Sequence, residues 1–274
     1  MTRFKKAICN DAFKNWEIAD VFKYVGDLGY DGVEINPYTL CETLDGFSSA
    51  AQLSVREAAE SAGVEIIGIH SILKNPKRFF HINHPDASIR AETLEHLNAL
   101  ITFCGDLGGK VIPLGASKQR TVLPDLTHQQ AWDYAIAVFR EALKTAERRG
   151  VVLCLEPLTH RLTNFITKAS EATRMVEEMD HPNFKMMIDV RSASDDEMPI
   201  PELIRQSAHH LAHFHANDDN GRGPGKGNAD YAGISDALKE IGYEGYLSVE
   251  VFDFQPDPET IAIESLNTLR KYFD

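Results

Sequence analysis

Long apolar runs are missing from this chain. No stretch approaches the ~20 consecutive apolar residues that a membrane-spanning helix needs, so no membrane association is expected. Cysteine is scarce: Cys9, Cys41, Cys104 and Cys154 are widely spaced and form no C-x-x-C pair. That pattern argues against a disulfide framework and suits reduced thiols in the cytoplasm. A basic excess is absent as well. Asp and Glu number 41 against 28 Lys and Arg, a net charge of −13, which argues against nucleic acid or an anionic membrane as partner. Small sugars or sugar acids remain compatible partners, as does a homo-oligomer. The opening MTRFKKAICNDAF offers no apolar segment for a secretory signal, and a cytoplasmic location is expected. No Ser/Pro-rich linker interrupts residues 1–274, so a single domain is expected.

What is present is a rhythm. Short apolar runs at 6–9, 32–35, 64–70, 110–114, 151–156, 185–189, 211–215 and 246–251 alternate with longer amphipathic stretches. Several runs, such as VVLCL, are almost continuously apolar, as parallel strands covered on both faces by helices would be. Between them, DASIRAETLEHLNALITFCGDLG carries Leu94, Leu97, Ile101 and Cys104 at helical spacing. HQQAWDYAIAVFREALKTAERRG closes on Arg148, Arg149 and Gly150, a normal helix ending. Eight such units within 274 residues predict an α/β fold, a (β/α)₈ TIM barrel. A doubly wound open sheet is the alternative.

The placement of acids and imidazoles then suggests chemistry. Glu156, Asp189 and His215 fall at the ends of candidate strands five, six and seven, and Glu250 lies in the eighth. A barrel gathers consecutive strand C-termini on the face where active sites are built. Three carboxylates and an imidazole brought together there would repel and desolvate badly without a cation. One divalent metal ion (Mn²⁺, Co²⁺, Mg²⁺, Fe²⁺ or Zn²⁺) resolves that conflict. No cysteine is expected among the ligands, which argues against a structural zinc. Each residue alone has an ordinary structural explanation as a cap, an ion pair or a core histidine. Four in succession do not.

The segments CLEPLTHRLTNF, HPNFKMMIDV, HFHANDDNGRGPGKGNADYAGI and IGYEGYLSVEVF resemble the xylose isomerase-like sugar phosphate isomerase/epimerase superfamily, most strongly over 151–254. Earlier residues share the strand rhythm and elements such as GYDGVEI. The resemblance implies that Glu156, Asp189, His215 and Glu250 bind the metal and that Glu156 and Glu250 form the acid/base pair. It also makes Arg222, in DDNGRGPGKG, a candidate substrate contact, and Asp218 completes an H-x-x-D. The glycine-rich run lacks the spacing of a phosphate-binding Walker loop. His70, ending candidate strand three, is a further substrate-binding candidate, with a buried structural role as the alternative. His213, two residues before His215, is expected one layer deeper in a hydrogen-bonded role. Glu34 is a weaker site candidate.

Two positions depart from the family pattern. Ser192 stands where many members carry the histidine of D-x-x-H, and Leu162 where epimerases often have a glutamate. Both changes concern substrate more than metal. Arg191, beside Ser192, offers a contact for a substrate carboxylate or phosphate, and both are carried forward as substrate-binding candidates. The function expected is metal-dependent isomerisation or epimerisation of a small carbohydrate or polyol through an ene-diolate. The alternatives are a dehydratase of the inosose or dehydroshikimate type, and a non-catalytic sugar-binding relative. A repair nuclease of the endonuclease IV type would need more histidine ligands and a basic surface.

Overall fold

The computed structural model describes residues 3–74 and 78–274. Eight strands run in parallel: β1 (Lys5–Cys9), β2 (Gly32–Ile35), β3 (Glu65–Ile69), β4 (Val111–Leu114), β5 (Val152–Leu155), β6 (Phe184–Asp189), β7 (Leu211–Ala216) and β8 (Tyr246–Val249). Each pairs with its neighbour in sequence order, and β8 closes onto β1 with Lys5 opposite Tyr246. The sheet is therefore a closed barrel, and the open-sheet alternative is set aside. Closure leaves no unpaired strand edge.

Each strand is followed by a helix that packs outside the barrel, the longest being Ala87–Asp106 and His128–Arg149. The second shows why these segments fold as they do. Ala131, Ala135, Phe139, Ala142 and Ala146 recur at intervals of three or four and are all buried, so one stripe faces the sheet. Thr127 and Gln130 form a reciprocal cap at its start, and Gly150 ends it in the left-handed region at φ 64°. Removing such a cap costs about 1 kcal/mol. Phe139 meets Phe184 of β6 with ring centroids 5.3 Å apart, which locks helix onto strand. No helix of the described residues is long and apolar enough to cross a membrane.

The barrel interior is polar near the strand C-termini. Side chains alternate along a strand, so His213 and His215 of β7 both point inward. Register puts Asp189 beside His215, His215 beside Ser248, and Cys9 beside Glu34. Glu34, Asp189, His213 and His215 are all buried. A barrel core normally excludes such groups unless they are paired.

Candidate active site

Asp189, His215 and Glu250 offer donor atoms that all lie within 4.8 Å of one another. His215 Nδ1 stands 3.0 Å from Glu250 Oε2 and 3.8 Å from Asp189 Oδ2, yet it is buried and makes no hydrogen bond. Its other nitrogen, Nε2, faces Glu34 Oε1 and Oε2 at 3.2 Å. An Nε2–H donated to Glu34 leaves the Nδ1 lone pair turned toward the carboxylates. This is the orientation that a carboxylate imposes on a metal-binding histidine from behind. The donor set of oxygens and one imidazole fits a divalent ion.

Glu156 follows β5 and shares the cavity, but its carboxylate lies outside that tight group. Ser192 bridges the two parts. Its hydroxyl donates to Glu156 Oε1 at 3.1 Å, and its backbone N–H donates to Asp189 Oδ1 at 2.7 Å. Asp189 thereby caps the short helix Val190–Ala193. Asn217 donates to the other Asp189 oxygen at 2.6 Å and accepts from the Arg191 backbone at 2.8 Å. Gly115 presses so close to Glu156 that a Cβ there would overlap Oε2.

Electrostatics separate the two glutamates. Burial, reinforced by Asp189 and Glu250, pushes Glu156 up to about 8. Asp189 is raised by burial and by Glu250. Burial also opposes ionisation of Glu250, but His215 and His70 outweigh it and hold Glu250 well below the usual carboxylate range. For His215, burial disfavours the charged ring, and Glu34 with Glu250 outweighs it, so its value is raised well above normal. Crowded carboxylates that push one another upward are what a cation would relieve.

The other expected residues are distributed as follows. His70, after β3, has Nδ1 3.3 Å from Glu250 Oε1 and Nε2 3.7 Å from Asp11 Oδ2. Arg191 and Ser192 both line the cavity. Arg222 does not. It lines a separate small cavity with Lys226 and Gln255, its Nε 3.5 Å from Asp253 Oδ2. The loop is bent this way because Asp218 accepts from the backbone of Gly225 and Ala229, both at 2.9 Å. Asp218 is therefore a loop cap. His213 Nε2 meets Glu34 Oε2 at 2.9 Å, one layer below His215 as expected. The expected absence of cysteine needs correction: Cys9 offers its sulfur within 4.8 Å of donors from Glu34 and His215. Burial, with Glu34 and Glu250, holds that thiol well above its usual value, so it stays protonated.

Of two further contributors, Arg120 was not singled out in the sequence and Glu34 was only a weaker candidate. Arg120 is fully buried and donates to the carbonyls of Leu114 (3.1 Å), Glu156 (2.7 Å) and Ile166 (3.2 Å), which fixes the turn carrying Glu156. Glu34 proves to be the hub of β7's two histidines. Burial favours its neutral form, but both histidines outweigh that and hold it ionised. The GYDGVEI segment was the available hint.

Comparison with known proteins fits this geometry. The sequence matches the family described as xylose isomerase-like TIM barrel over residues 22–272. The chain belongs to that family. The D-psicose 3-epimerase of Ruminiclostridium cellulolyticum is 28% identical over 251 residues, covering 87% of this chain and 80% of the relative. The 3-dehydro-D-guloside 4-epimerase of Escherichia coli is 23% identical over 267 residues, covering 95% of this chain and 97% of the relative. Among solved structures, D-psicose 3-epimerase with D-tagatose from Clostridium cellulolyticum H10 superposes with a TM-score of 0.86 at 22% identity. It covers 98% of this chain and 99% of that one.

Proposed function

We propose that this chain is a divalent-metal-dependent epimerase of a small ketose-type carbohydrate. Glu156, Asp189, His215 and Glu250 hold the ion, and Glu156 and Glu250 exchange a proton with the substrate. The observation that carries this reading is His215 Nδ1: buried and aimed between two carboxylates, 3.0 Å from Glu250 and 3.8 Å from Asp189. Buried carboxylates crowded about one imidazole nitrogen are what a divalent ion would relieve. The named epimerases among its relatives supply the reaction class.

A divalent ion held there would polarise a substrate carbonyl and stabilise the negative charge that develops as a neighbouring C–H loses its proton. The protein's own groups do the rest. One glutamate takes the proton from carbon, and the other returns one from the opposite face, which inverts that centre. His70 and Ser192 each contact one of the pair, Glu250 and Glu156 respectively, and hold the carboxylates in place. The apolar wall of Leu158 and Ile72 limits water around the exposed carbanion.

The test is solvent deuterium exchange into a panel of ketoses by manganese-loaded protein. Label should enter beside the carbonyl, disappear on chelation and return with metal. A loaded protein that exchanges no ketose of a broad panel overturns the epimerase reading.

A further inference from the structure

Charge in the cavity is segregated. Its lining acids, Glu156 and Glu250, lie on the floor with His215, whereas its outer wall carries Lys74 and Arg191 and no acid. These two cations come from different parts of the mouth, after β3 and β6, three strands apart around the barrel. Neither is neutralised by a carboxylate among the described residues. Lys74 Nζ reaches only the Ser71 hydroxyl, at 3.3 Å. The Arg191 guanidinium lies over the Phe252 ring, 4.4 Å from its centroid.

Arg191 is also held in position. Its backbone is tied to Asn217, and its Cδ and Nε pass close to Gly221, where an added Cβ would stand 3.3 Å from each. Stacking and packing of this kind reduce the entropy that a long side chain loses on binding. Position 162 contributes an exposed leucine, so nothing on that wall repels an anion. In a chain of net charge −13, two unpaired cations facing one small cavity call for a ligand. A neutral sugar needs neither charge. The cavity, about 310 Å³, is at the small end of ligand sites, which run from roughly 300 to 1,000 Å³, and suits a single monosaccharide.

We propose that the substrate is an anionic sugar. Its ketone end faces the metal-binding floor, and a terminal oxyanion, carboxylate or phosphate, is held between Lys74 and Arg191. The inference rests on the epimerase reading only for which end of the sugar faces the floor. Arg191 meets the oxyanion through its planar donor fork, and Lys74 adds a mobile point charge.

Calorimetry on manganese-loaded protein tests this with three ketoses that differ only at C6: D-fructose, D-fructuronate and D-fructose 6-phosphate. At least one anion should bind tenfold or more tightly than D-fructose, and whichever gains more identifies the group. Each of Arg191→Met and Lys74→Met should weaken that anion about tenfold, the scale of one charge-assisted contact, and weaken D-fructose several-fold less. Lys74 is exposed, so its variant tests the idea even where Arg191→Met misfolds. D-fructose binding as tightly as both anions overturns the proposal, as does equal weakening of all three ligands by the variants. An anion that binds tightly but exchanges no label supports the subsite and overturns the epimerase instead.

Discussion

The two halves of the barrel contribute in different ways. Strands β5 to β8 deliver the candidate ligands, each at or just beyond a strand end. Strands β1 to β3 deliver none of these four, yet Glu34 and His70 reach across the barrel to His215 and Glu250. The second half supplies donors and the first half aims them. If the second half holds an ion as proposed, residues outside the four proposed ligands would help to aim them.

Substitutions can break that division. The largest effect should come from the second half: Glu156→Gln removes both a proposed ligand and a proposed proton carrier. It should slow ketose deuterium exchange by about 10²–10⁴-fold, with metal content by elemental analysis reporting the loss of binding. In the first half, Glu34→Gln keeps every proposed ligand but weakens the acceptor behind His215. It should reduce metal affinity by about 10–100-fold in competition with a calibrated chelator. If Glu34→Gln changes affinity less than twofold, the supporting role assigned to the first half is wrong.

Acidity gives a third and smaller test. Without metal, Glu156 is raised to about 8 and His215 is raised well above its normal value, so both carry protons at pH 7. An ion needs the carboxylate and the free imidazole lone pair, and its uptake must release protons. Affinity should therefore rise with pH, by about tenfold per unit for each proton released, and level off only once both Glu156 and His215 have lost their protons. Titrations in buffers of different ionisation enthalpy count the protons directly. Uptake without proton release would contradict the crowded carboxylate floor.

How much of this was legible in the sequence follows from the same division. Strands covered on both faces read as apolar runs, and the eight expected runs match the eight strands to within two residues at each end. Glu156, Asp189 and His215 could be found because strand order alone carries their side chains to one face. Glu34 was ranked only as a weaker candidate, because its partners lie 179 and 181 residues away and meet it only through barrel closure. Arg120 looked like any basic residue in a loop, and three carbonyls from separate elements make it structural. Arg222 was expected at the substrate, but Asp253 and the Asp218-capped loop turn it elsewhere. Cys9 went unnoticed at the site because only the pairing of β1 with β2 sets it beside Glu34.

Gly115 touches no ligand role in any motif, yet its missing side chain is the space that Glu156 occupies. Alanine at 115 would force the Glu156 carboxylate to move even with all four proposed ligands intact. The blank position is thus as much a part of this site's definition as the residues that fill it.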